Sequence, residues 1–168
     1  MIHKDLQEAI NHQINQEFTA AYNYLGMAAY FDAENLKGFA SWMTKQHDEE
    51  QAHGMKLLRY LQDRGGRVKL EALESPRIEF WSPLEIFQLS LEQEKLNTAS
   101  INKLYELAIK LNDHATKSHL QWFIDEQVEE EKSFEDQIAL LERVGEDPIG
   151  LLYLDDKLSD RPAEHVPM

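Results

Sequence analysis

Apolar residues recur at alternating intervals of three and four along most of the chain, and the places where that rhythm stops mark helix ends. Leu6, Ile10, Ile14, Phe18, Ala21, Leu25 and Ala28 form one stripe without proline, which predicts an amphipathic helix over about 5–32. Leu36, Phe39, Ala40, Met43, Leu57, Leu58 and Leu61 predict a second over 36–64, closed by Gly65-Gly66. Residues 65–82 lose the period and contain Ser75-Pro76. Extended, such a segment reaches about 60 Å, against about 45 Å for the preceding helix, so it can run back along the whole bundle. The next helix then lies parallel to the second. It starts at Ser82-Pro83 and carries Phe87, Leu91, Thr98, Ile101, Tyr105 and Ala108 over 83–111. Asn112-Asp113 breaks the pattern before a fourth helix, 114–144, with Leu120, Phe123, Ile124, Phe134, Ile138 and Leu141. Pro148 opens a short amphipathic piece over 148–158, and the tail from Ser159, with Pro162 and Pro167, is expected to fray. The predicted fold is all-α, a four-helix bundle with one long crossover and a short fifth helix, in a single domain over 1–168.

Each long stripe is interrupted near its middle by a polar side chain. Glu17 falls between Ile14 and Ala21, and Glu50 between Met43 and Leu57 with His53 on its flank. Glu94 falls between Leu91 and Thr98, while Gln127 and Glu130 fall between Phe123 and Phe134. Antiparallel packing brings these mid-helix positions into roughly one layer. A buried ionised carboxylate costs several kcal/mol, and four that face one another also repel. No Lys or Arg stands among the four inward carboxylate positions. Two divalent cations match Glu17, Glu50, Glu94 and Glu130 in charge, and Glu50 and His53, three residues apart, share a helix face and can share an ion. Imidazole with oxygen ligands suits iron or manganese better than calcium or magnesium. The same positions also fit an exposed polar seam or an internal hydrogen-bond network.

Composition narrows the partners. A formal charge of -14, from 31 acidic and 17 basic residues, makes cations the natural ligands and argues against nucleic acid or an anionic membrane. The absence of cysteine excludes disulfides, thiolate zinc sites, iron–sulfur clusters and cysteine nucleophiles. The first residues have no apolar signal-peptide core and no uncharged apolar run reaches spanning length, so a cytoplasmic protein is expected.

From about residue 3 to 158 the chain resembles the bacterial non-haem ferritins, and the dinuclear carboxylate site in a bundle with one long crossover is a ferritin-like arrangement. The residues that carry the resemblance are Glu49-Glu50-x-x-His53 and Gln121-Trp122-Phe123-x-x-Glu126-Gln127-x-Glu129-Glu130-Glu131, joined by Glu17, Tyr24 and Glu94. The resemblance implies an iron-storage ferroxidase that oxidises Fe(II) with dioxygen or peroxide and deposits a ferric mineral inside a 24-subunit shell of identical chains. It assigns Glu17, Glu50 and His53 to a first iron and Glu50, Glu94 and Glu130 to a second, bridged by Glu50. Gln127 would position water or oxygen species. Glu49, Glu126 and Glu129, with Glu130, match a third iron site, a face that is otherwise simply solvated and acidic. Tyr24 resembles a tyrosine that supplies an electron to oxygen; a core-flanking tyrosine with a satisfied hydroxyl is the plainer reading, as core packing is for Trp122.

The bacterioferritin relatives of that family repeat Glu-x-x-His on the fourth helix and place a haem-ligating Met after the bridging Glu. Here those positions hold Gln127-x-x-Glu130 and Gln51, so no haem is expected. Rubrerythrins need a cysteine-ligated iron, and mini-ferritins place their site between subunits. The alternative function is a di-iron or di-manganese oxygenase acting on an organic substrate.

Overall fold

The computed structural model describes residues 2–163 and 165–167. It contains five helices: α1 (Lys4–Ala33), α2 (Lys37–Asp63), α3 (Pro83–Lys110), α4 (His114–Val144) and α5 (Pro148–Ser159). Side chains finish the helix starts as their residue types dictate. Ser82 accepts from the Glu85 backbone N–H and Glu85 accepts from that of Trp81, two donors the helix cannot satisfy itself. Asp113 caps α4 through Thr116 N–H at 2.9 Å, and Asp147 caps α5 through Ile149 and Gly150. The tight α1–α2 and α3–α4 turns place Asn35 and Asn112 at φ 60 and 54, a left-handed conformation that asparagine tolerates.

The crossover follows α1 from its N-terminal end. Gln7, Asn11 and Asn15, four apart on one helical face, bond the backbone of Arg67, Lys69 and Glu71, two apart on an extended strand. Four helical residues rise about 6.0 Å and two extended residues span about 6.6 Å, so the ladders stay in step. Further along, Tyr30 stacks edge-on against Phe80, with ring centroids 5.3 Å apart. The chain therefore arrives at the start of α2, and α3 runs parallel to it. There Phe87 packs against Phe31, Phe39 and Trp42.

Buried apolar residues form two clusters, one at each end of the bundle. The first holds Tyr24, Phe31, Phe39, Met43, Phe87 and Phe134. The second holds Leu6, Ile10, Ile14, Leu57, Ile101 and Phe123. Along every long helix the switch from one cluster to the other falls at a mid-helix carboxylate. The short α5 packs on α2 and α4. Gly38 permits this contact, since a Cβ there would lie 1.6 Å from the Asp155 carbonyl oxygen.

Two expectations from the sequence need correction. Leu25 is 41% exposed, and Tyr24 occupies the inward line instead. At about 100° per residue Leu25 stands a full step round the helix from Tyr24, on the flank it shares with half-buried Phe18, while Tyr24, Ala28 and Phe31 line the core. The tail is not frayed over its described residues. Lys45 Nζ donates to the Arg161 carbonyl, Lys56 Nζ to that of Pro167, and Val166 is buried. The tail thus lies against α2, held by side chains far away in sequence. Glu164 and Met168, which that expectation also covered, lie outside the described residues.

Candidate metal centre

The layer between the two apolar clusters contains Glu17, Glu50, His53, Glu94, Gln127 and Glu130, all at most 3% exposed. Ligand atoms of Glu17, Glu50 and His53 lie within 4.8 Å of one another, and so do those of His53, Glu126 and Glu130. His53 Nδ1 stands 3.4 Å from Glu50 Oε2. Both Glu50 oxygens, and Glu130 Oε1, are buried with no hydrogen-bond donor among the described residues. An internal polar network would have paired these atoms, because leaving them unpaired costs their full desolvation. A cation is the partner their chemistry calls for.

Glu94 is arranged differently. Tyr24 Oη donates to Oε1 in a short hydrogen bond, and Gln127 Nε2 donates to Oε2 at 3.3 Å and to the Thr98 hydroxyl at 3.1 Å. Glu94 is therefore turned toward Tyr24 and Gln127, outside both of the tight clusters. Tyr24 is fully buried and stacks on Phe134, so it is both a core residue and a donor to the site.

The electrostatics follow from crowding acids in an apolar interior. Burial first, then the charges of Glu94, Glu17 and Glu130, pushes the Glu50 carboxyl well above the ordinary carboxylate range. Burial and the charges of Glu94 and Glu49 push Glu130 the same way, opposed by Gln46 and Arg161. Glu94 rises to about 7, burial outweighing the hydrogen bonds from Tyr24 and Gln127. Tyr24 is held well above its usual range by burial and by Glu94, Glu50 and Glu130, so its hydroxyl keeps its proton. Without cations, these carboxyls compete to be neutral.

Around the acids lies a shell of amides that the apolar stripes do not reveal. Gln13 Nε2 donates to Glu17 Oε1 at 2.8 Å, Asn97 Nδ2 to Glu17 Oε2 at 3.1 Å, and Gln46 Nε2 to Glu130 Oε2 at 3.0 Å. Gln13 stands four residues before Glu17, Gln46 four before Glu50, and Asn97 three after Glu94. An amide one turn from each acid was the available signal. His47 Nδ1 lies 2.8 Å from the Ala21 carbonyl oxygen, which gives that histidine a packing role. Trp122 is half-buried and meets the His53 ring edge-on, 5.3 Å between centroids.

Glu49 and Glu126 are buried and Glu129 is exposed. A cavity of about 360 Å³ opens beside Glu130, lined by Glu126, Glu129, Ser133, Arg161, Pro162 and Ala163. Arg161 is the basic residue that the sequence pattern did not place: Nη2 donates to Glu49 Oε2 at 2.7 Å.

Comparison with known proteins agrees with this geometry. The family model for the ferritin-like domain matches residues 7–144. A bacterial non-heme ferritin of Staphylococcus aureus (strain USA300) is 44% identical over 161 residues, 96% of this chain and 97% of that protein. One from Staphylococcus epidermidis is 46% identical over 157 residues, 94% of each chain. Among solved structures, an open pore ferritin from the hyperthermophilic archaeon Archaeoglobus fulgidus superimposes with a TM-score of 0.94 at 47% identity, covering 96% of this chain and 99% of that one.

Proposed function

The chain belongs to the ferritin-like domain family, and on that premise we propose that it stores iron, oxidising Fe(II) in its carboxylate layer and holding the ferric product inside a shell of identical subunits. The observation that carries this reading is the buried Glu50 carboxylate, both oxygens without a donor, beside Glu17 and His53 in the middle of the bundle. Glu17, Glu50 and His53 hold one ferrous ion, while Glu50, Glu94 and Glu130 hold the second, with Glu50 between them. Binding the second ion requires Glu94 to turn one oxygen from Gln127 toward Glu50. Gln127, a neutral donor, is left to orient water or an oxygen species.

Two ferrous ions supply two electrons, which with two protons take dioxygen to hydrogen peroxide. Four carboxylates balance two divalent ions. Oxidation adds two positive charges that the protein set does not neutralise, which favours departure of the product toward further acids. Glu49, Glu126 and Glu129 provide these, with Glu130 shared, and form a third site between the layer and the cavity surface. The space beside Glu130 is walled by three carboxylates, a hydroxyl and the Arg161 guanidinium, together with Pro162 and Ala163, so its acids are available to a cation. Were Tyr24 and a ferrous ion at the third site to give one electron each, these two electrons with two protons would take the peroxide on to two waters, the Tyr24 proton having an acceptor already in contact at Glu94. No described helix is long and apolar enough to cross a membrane, which accords with a cytoplasmic store.

Aerobic addition of excess Fe(II), followed by gel filtration and light scattering, tests the proposal. A particle of roughly half a megadalton, twenty-four times the 19.6 kDa of one chain, that retains ferric mineral is expected. A small oligomer that oxidises only stoichiometric iron and retains none would refute it.

A further inference from the structure

Arg161 belongs to no helix, yet its guanidinium is the best-held cation near the carboxylate layer. Its side chain is 13% exposed and its partner Glu49 is 4% exposed. Nη2 donates to Glu49 Oε2, Nη1 donates to Gln46 Oε1, and Cζ lies 4.1 Å above the Trp42 ring. The Arg161 carbonyl accepts from Lys45, which fixes the backbone from which the side chain reaches. Gln46 continues the chain by donating to Glu130 Oε2. One guanidinium thus bears directly on Glu49 and, through one amide, on Glu130. Beyond it, Pro162 and Ala163 form part of the wall of the acidic cavity.

Arginine stays charged at any pH a protein survives, so this positive charge cannot be shed to make room for another. It can only move. We propose that Arg161 is a tethered counter-cation that competes with the third iron for Glu49, and so sets how long that iron stays between the two-iron layer and the cavity. The inference rests on the third-site reading of Glu49, Glu126, Glu129 and Glu130. When the third site is vacated, the guanidinium returns to Glu49 and restores the buried ion pair. When a cation arrives, the Arg161–Glu49 bond must break, and its loss is subtracted from the affinity of the incoming ion. A third site weakened in this way passes iron on.

Calorimetric titration of the metal-free protein with Zn²⁺, which is redox-inert, tests this in Arg161→Gln, Arg161→Lys, Glu49→Gln and the parent chain, with light scattering and circular dichroism to confirm assembly and fold. The parent should bind two ions tightly and a third more weakly, and Glu49→Gln should lose the third. Arg161→Gln should bind the third ion about tenfold or more tightly, the scale of a charged hydrogen bond removed from the competing state. Arg161→Lys, which keeps the charge, should stay near the parent. That pattern separates charge competition from loose docking of the tail, which both substitutions would produce. A third-ion affinity unchanged or weaker in Arg161→Gln overturns the proposal while leaving the third site standing. If Glu49→Gln binds as many ions as the parent, or the parent binds only two, the third-site reading itself fails and the proposal with it.

Discussion

Glu94→Gln should make the metal-free protein more stable at alkaline pH and not at acidic pH. The folded carboxyl titrates at about 7 against an ordinary 4.5, so folding binds a proton between those values. Its raised value means that the native state is disfavoured as pH rises through that window: the penalty is absent well below 4.5 and complete above 7. At 1.36 kcal/mol per pH unit, ionisation of this one group costs the fold about 3 kcal/mol at pH 8 and about 1 kcal/mol at pH 5. The amide keeps an acceptor for Tyr24 but sets an NH₂ group against Gln127 Nε2, a loss of about 1 kcal/mol softened by Gln127's other bonds to Thr98 and the Glu94 backbone. The net change is a gain of about 2 kcal/mol at pH 8 that vanishes near pH 5. Urea unfolding of chelator-treated protein, at one fixed subunit concentration so that assembly contributes equally, reads this difference. Saturating Zn²⁺ should invert the order at pH 8, since the variant has lost a ligand. An offset that is the same at both pH values would refute the reasoning, because a packing effect has no reason to titrate.

Because Glu50, Glu94 and Glu130 are all raised, the parent apo-protein should lose stability from about pH 5 to pH 8, and metal affinity should weaken from pH 7 to pH 5 as protons compete; calorimetry at the two values checks both. Glu50→Ala should abolish the rapid phase of iron oxidation by removing the carboxylate proposed to be shared by both ions, measured by stopped-flow absorbance. Glu129→Ala, at an exposed position, should change the rate of later turnovers while the first two ions still bind, measured by repeated Fe(II) additions. Gly38→Ala should destabilise the fold by about 1–3 kcal/mol or more by pushing α5 from α2, read from the urea midpoint.

The helices were legible because each needs an apolar face and interrupts it only where something else is satisfied. Glu17, Glu50, Glu94 and Glu130 were visible for the same reason: a carboxylate in a leucine's place has to answer for its desolvation. The return of the crossover along the bundle was readable from its reach, and the Gln7-Asn11-Asn15 ladder that ties it to α1 could have been found as amides four apart. Position in the stripe could not say that Glu94 faces Tyr24 and Gln127, since rotamers are chosen by tertiary neighbours. Leu25 failed because it lies on the flank of a wide stripe, beside half-buried Phe18, and spacing alone does not say which edge of the stripe is covered. Arg161 was invisible for a stronger reason. Its partner Glu49 is 112 residues away, and no local period connects a proline-rich tail to the middle of α2.

The proposed function requires the buried layer to be a two-iron oxidation site. Anaerobic Fe(II) loading followed by rapid mixing with oxygenated buffer tests it most directly. A fast absorbance rise whose amplitude saturates at two to three irons per subunit, followed by slow growth of mineral, is expected. Oxidation no faster than that of free Fe(II) in the same buffer, or an amplitude that rises with added iron and never saturates, would contradict it.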